Sequence, residues 1–271
     1  MMRIHSAEYT GPDYKAVQLS GLWFSEGFTM FYADLLLRRA GLPAPESTRT
    51  AHLEHLIGGY LVNPDNARSS AEQASRVAFS SDSESHPNVW VQGELLGAML
   101  DLTIRGATDG KRSLDDLMRA MFANFSGERG FTTNDVERLA EEVCACGLKP
   151  FFDAYIRGAS GIDFNNYLQL AGLKTEVQWK RAARPDGTLI PDLRVGAYSK
   201  GGLLFLSLYP GGAWMRAGLR NGDQLVKLPR VAVECVTVVG GVLLIIGCGR
   251  RPSWSGCPEP SAVNVQPTVA R

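Results

Sequence analysis

The sequence predicts a mainly helical protein that ends in a small α+β module. Three observations carry that prediction. Apolar residues recur at helical spacing up to about residue 173. Beyond that point the period shortens, in TEVQWK, RVGAY and GLLFLSLY, with PDG and KGG turns between strand-length runs. From Val231 the composition changes again, because residues 231–271 contain no Lys and no Asp and residues 249–271 are rich in Pro and Ser. We therefore expect a helical unit over 1–173, an α+β module over 174–230, and a degenerate or disordered tail over 231–271.

Each element has its own signal. A first helix or helix pair is expected over 14–40, stopped by Gly41 and Pro43, with Arg38 and Arg39 suiting its C-terminal dipole. A second runs from about Ser47 through Tyr60 and ends before Asn63-Pro64. Residues 63–88 are polar and Ser-rich, which reads as a long surface loop with a helical turn. A third helix is expected from roughly Gln92 to Arg105, with Leu95, Leu96, Met99 and Leu100 apolar. Ser113 caps the next, with Asp116 placed for a capping box, and Thr132 or Thr133 caps the one after. KPFFDAYIRG and FNNYLQLAGL follow as short helices ending in Gly158 and Gly172. In the α+β module, GGAWMRAGLRNGDQLVKL reads as a glycine turn, a short helix ending near Gly218, a turn at Asn221-Gly222-Asp223 and a strand. The apolar run over 231–247 is short for a membrane span and is broken by Glu234 and Gly240-Gly241, so a buried strand pair is expected there.

Composition narrows the function classes. The 271 residues carry zero formal net charge and ordinary hydrophobicity, as a soluble globular protein does. No basic stripe interleaved with aromatic residues is present, which argues against a nucleic-acid partner, and a membrane partner is not expected. The N-terminal MMRIHSAEYTG lacks the apolar core of a signal peptide, so the chain as given reads as cytoplasmic. Of five cysteines, Cys144 and Cys146 are one residue apart on an expected helix, a spacing that suits neither a disulfide nor a zinc knuckle. They read as reduced thiols.

One residue stands out in GLWFSEGFTMFYADLL. Glu26 shares a helical stripe with Leu22, Met30 and Ala33, where a core residue would normally sit. Such a carboxylate is paired with an arginine, rotated to the helix edge, or bound to a metal. His52 and His55, at i and i+3 with Glu54 between, read either as an improvised zinc pair or as a solvated helix face. His5 and His86 are isolated and read as surface or loop residues.

LWFSEGFTMFYADLLLRRAGL, GELLGAMLDLTIRGATDGKRSLDDLMRAMF and FFDAYIRGASGIDFNNYLQLAGL together resemble the glycyl aminopeptidase family of zinc metallopeptidases. These are gluzincins, with a thermolysin-like catalytic domain and a C-terminal PDZ domain. The resemblance covers roughly residues 3–228. It implies a helical C-terminal part of the peptidase domain followed by a PDZ-like domain, and makes Glu26 the third zinc ligand. No HExxH occurs in these 271 residues, and the family's lies just upstream of the stretch matching Arg3-Ile4. The resemblance therefore implies zinc in a complete family member and none bound by this chain alone. Trp90, in WVQG, stands at the position of the family's oxyanion tyrosine. It reads either as a repurposed N–H donor or as packing at the helix start. YPGGAWMRAGLRNGDQLVKL resembles a PDZ segment, which implies a peptide C-terminus as a partner beside the peptide substrate. Residues after Lys227 do not supply that domain's last helix and strand cleanly. Two functions follow: the C-terminal part of an aminopeptidase cleaving small residues such as Gly or Ala, inactive alone, or a non-catalytic helical-plus-PDZ binding protein.

Overall fold

The computed structural model describes residues 3–4, 20–44, 46–63, 65–78, 87–126, 130–178, 195–208, 212–226, 235–239, 242–246 and 263–267. His5, His86 and the PDG turn lie outside them. Strand β1 (Arg3–Ile4) precedes helices α1 (Leu22–Arg39), α2 (Arg49–Val62), α3 (Ala71–Val77), α4 (Val89–Ala107) and α5 (Leu114–Phe125). Strand β2 (Gly130–Phe131) pairs in parallel with β1 and leads into α6 (Thr133–Cys144), α7 (Lys149–Phe151) and α8 (Phe164–Leu168). Strands then dominate: β3 (Leu173–Val177), β4 (Val195–Lys200), β5 (Leu203–Leu208), the one-turn helix α9 (Ala213–Arg216), β6 (Gln224–Leu225), β7 (Cys235–Val239), β8 (Val242–Ile246) and β9 (Val263–Pro267). The protein is mainly helical. No helix among the described residues is long and apolar enough to cross a membrane.

The helices start where side chains can satisfy their first N–H groups. Thr48, Asn88, Ser113 and Thr132 each accept a bond from the first turn they cap, and Asp116 and Asp135 complete two capping boxes. The Asn88 cap starts α4 three residues before the expected Gln92, because the apolar period becomes visible only after the cap. Helix α4 is the centre of the core. Its residues from Gln92 to Leu100 are all buried, and α1 lies directly on it. Two glycines set that approach: a Cβ on Gly27 would meet the Gly93 backbone at 2.3 Å, and one on Gly93 would meet Trp23 O at 2.4 Å. Trp23 fills the space beside them, edge-on to Phe24, Phe28 and Phe152.

Two sequence expectations are corrected here. Residues 63–78 are not a loose surface loop, since Asp65, Asn66, Ser69, Ser70 and Ser75 are buried. Their polar side chains serve helix ends: Ser75 Oγ accepts from Trp23 N–H at 2.9 Å, and Asn66 Oδ1 accepts from Asn88 N–H at 2.7 Å. Polar composition here reflects capping rather than solvation. The second correction concerns Cys144 and Cys146, which form a disulfide with Cα atoms 5.1 Å apart. Helical geometry forbids that pairing, but α6 ends at Cys144 and Ala145 turns left-handed, at φ 50°. The turn swings the second sulfur back toward the first.

Strands β6, β5, β4, β8 and β7 form one antiparallel sheet in that order. Val195, Leu206 and Leu208 make its small described core, with Trp214, Leu219 and Leu225 against it. Strand β3 pairs instead with β9, and Asn165 of α8 bridges both the N–H and C=O of Thr175 in β3. Ser207 of β5 donates to the buried Asp65 at 3.0 Å, joining the sheet to the turn after α2.

Candidate active-site carboxylate and a buried charge cluster

The glycine crossing that seats α1 on α4 brings the two singled-out side chains together. Glu26 precedes Gly27, and Trp90 lies one turn before Gly93. The Trp90 indole N–H donates to Glu26 Oε2 at 3.0 Å, a contact between residues 64 apart in sequence. Trp90 also packs partly buried against the helical core. The stripe reading of Glu26 needs correction. Leu22 of that stripe is buried with Trp23, Phe24, Phe28 and Phe31, but Glu26 is half-buried and Met30 and Ala33 are exposed. Helix α1 is apolar nearly all round, so periodicity could not tell its buried side from its open one. Among the described residues no arginine pairs with Glu26. An indole N–H is a neutral donor, so it orients the carboxylate without supplying the positive charge that a cation would.

His52 and His55 do not act as a pair. His55 is exposed, whereas His52 is buried between two carboxylates. Its Nδ1 lies 2.9 Å from Glu46 Oε2 and its Nε2 lies 2.7 Å from Glu94 Oε1. Neither the zinc-pair nor the solvated-face reading describes it. Beside it the buried Asp34 of α1 takes both Arg38 and Arg49, with Arg38 Nε 3.0 Å from each carboxylate oxygen. Burial pushes the Asp34 carboxyl up, but Arg38 and Arg49 outweigh it and hold it below its ordinary value. Glu94, the buried acid that organises this cluster, left no signal in the sequence beyond its place in an apolar helix.

Would these residues hold a metal? Among the described residues, Asp34, Glu46 and His52 are the one group whose ligand atoms lie within 4.8 Å of one another, and Glu26 is not in it. In that group the guanidinium groups of Arg38 and Arg49 already supply positive charge. At Glu26, one carboxylate with an indole on it does not make a zinc site, which takes three protein ligands. The described residues therefore do not fit the metal by themselves.

Comparison with known proteins places this geometry. The chain is similar in fold to a solved aminopeptidase N family protein from Idiomarina loihiensis, with a TM-score of 0.60 at 16% identity, over 94% of this chain and 49% of that one. The chain thus spans about half the length of the structure it matches. At that identity the likeness speaks for the fold. A second match is to a family: residues 1–96, which include both Glu26 and Trp90, fit the model of the M61 glycyl aminopeptidase family. Over that stretch the chain is similar to the M61 peptidase family. No curated protein matches it.

Proposed function

We propose that this chain is the C-terminal part of a zinc metallo-aminopeptidase catalytic domain, followed by a PDZ-like module that begins at 174 and whose sheet includes strands β7 and β8. In this reading Glu26 is the carboxylate ligand of the metal and is supplied by α1. The two imidazoles and the general base belong to an HExxH segment that these 271 residues do not contain, so the chain alone does not hydrolyse peptides. Substrates are peptides cleaved from the N-terminus, with small residues such as Gly or Ala preferred.

The observation that carries the reading is the Glu26–Trp90 contact inside the family-matched stretch. It joins the carboxylate assigned to the metal and the residue at the oxyanion position across one helix crossing. What this chain contributes is limited to holding Glu26 on the open side of α1 and orienting it through the indole. A zinc ion, when bound, supplies Lewis acidity and an activated water.

A second reading is favoured by the same contact. Trp90 has no hydroxyl, and its one polar hydrogen is directed at Glu26 rather than toward an oxyanion. That is the arrangement of a non-catalytic helical and PDZ-like protein, whose partner is a peptide C-terminus added to a strand edge.

The test is reconstitution. The chain is mixed with a family N-terminal segment carrying HExxH, and hydrolysis of Gly- and Ala-amide substrates is followed with and without chelator. The aminopeptidase reading expects chelator-sensitive turnover that Glu26→Ala abolishes and Trp90→Tyr raises. Chelator-sensitive turnover by the chain alone contradicts its dependence on a second segment. A complex that forms yet never turns over supports the binding-protein reading.

A further inference from the structure

The cluster around His52 goes beyond the peptidase reading and does not depend on it. We propose that His52 is a proton-operated staple: as an imidazolium bonded at once to Glu46 and Glu94, it fixes α2 and the segment before it against α4, and losing one ring proton opens it.

With both carboxylates ionised, the geometry calls for the second ring proton. Both ring nitrogens lie within hydrogen-bond distance of carboxylate oxygens, at 2.9 and 2.7 Å. An ionised carboxylate only accepts, and a neutral imidazole has a single N–H. Two simultaneous N–H···O bonds therefore call for the doubly protonated ring. The local charge count agrees. Asp34 and Arg38 face the site from α1, Glu46 from the segment before α2, Arg49 from α2 and Glu94 from α4. Three acids meet two guanidinium groups, and with all three acids ionised the balance closes with His52 charged. Glu94 is 2% exposed, so water cannot replace a lost N–H there. A metal at Asp34, Glu46 and His52 would have to displace cations that are already bonded.

The same geometry fixes the direction of the pH response. Burial alone would lower the pKa of the ring, but the bonds to Glu94 and Glu46 outweigh it and hold it above the ordinary value. A group raised on folding stabilises the fold fully below its unfolded pKa, about 6.5, and that stabilisation is lost as pH rises through the folded value. The surrounding cluster touches both helices that carry the Glu26–Trp90 contact. Glu94 lies one turn after Trp90 on α4, and Asp34 two turns after Glu26 on α1.

The decisive measurement is the state of the His52 ring in the folded 271-residue chain, read from its two ring-nitrogen NMR shifts across a pH titration. Both nitrogens should carry protons at neutral pH, and this imidazole should titrate above its ordinary value. Glu94→Gln should move that titration to lower pH. Urea midpoints should fall with a slope of about one proton as pH rises through the transition, and His52→Gln should flatten it. A neutral His52 ring in the folded protein at pH below its ordinary pKa overturns the proposal, as do equal slopes in the wild type and His52→Gln. If His52→Gln does not fold, the wild-type ring shifts and their response to Glu94→Gln decide alone.

Discussion

Two polar contacts hang on the same pair of helices and are built on opposite terms. The Glu26–Trp90 contact is a single bond between a half-buried acid and a neutral donor, on the open side of α1. The His52 cluster is buried, multiply bonded and balanced in charge. Burial is the difference that matters. In the cluster the buried Asp34, His52 and Glu94 depend on their partners because water cannot replace them, so the cluster holds structure. At Glu26 solvent remains within reach, so the carboxylate is left available to something that arrives from outside.

Breaking the comparison from the buried side should have the largest effect. Glu94→Ala strips His52 of one carboxylate and leaves a buried imidazolium half-paired, which should cost about 3–5 kcal/mol of stability by urea unfolding. Glu94→Gln keeps the shape and should cost less. A loss near zero for Glu94→Ala would mean that the cluster is ornamental.

The crossing that both contacts share comes next. Gly27→Ala places a methyl into the Gly93 backbone, which cannot give way as a side-chain tip can. We expect a loss of about 1–3 kcal/mol, with the near-ultraviolet circular dichroism of the tryptophans altered. An unchanged spectrum would show that α1 and α4 separate without disturbing Trp90.

The smallest effect should be at Glu26. Removing its donor by Trp90→Phe should cost about 1 kcal/mol. Glu26→Gln should change stability by no more than about 0.5 kcal/mol. Equal and large losses for Glu26→Gln and Glu94→Ala would erase the distinction between a structural acid and an available one.

The two contacts also differ in how far sequence reading reached them. Glu26 and Trp90 were both legible by number, through the family resemblance and through the oddity of an acid in an apolar helix. Their bond to each other was not, because nothing local links residues 64 apart. His52 was noticed for the wrong neighbour. Sequence spacing offers His55 one turn away, while the fold supplies Glu94, 42 residues distant. The disulfide was missed for a local reason of a different kind. Cys-Ala-Cys within a helix cannot close, and only the left-handed Ala145 beyond the helix end permits it.

What the sequence by itself determined is whatever is satisfied within a few residues. The Ser113–Asp116 and Thr132–Asp135 boxes, the end of α2 before Asn63, and the left-handed Gly172 and Gly218 all follow from neighbours at fixed short offsets. The mainly helical class follows from period alone. The tertiary structure decided which side of the apolar α1 is buried, which polar residues of 63–78 turn inward, and which acids share a histidine. Those outcomes rest on one close approach, Gly27 on Gly93, that sets which side chains from distant segments come within a hydrogen bond of each other.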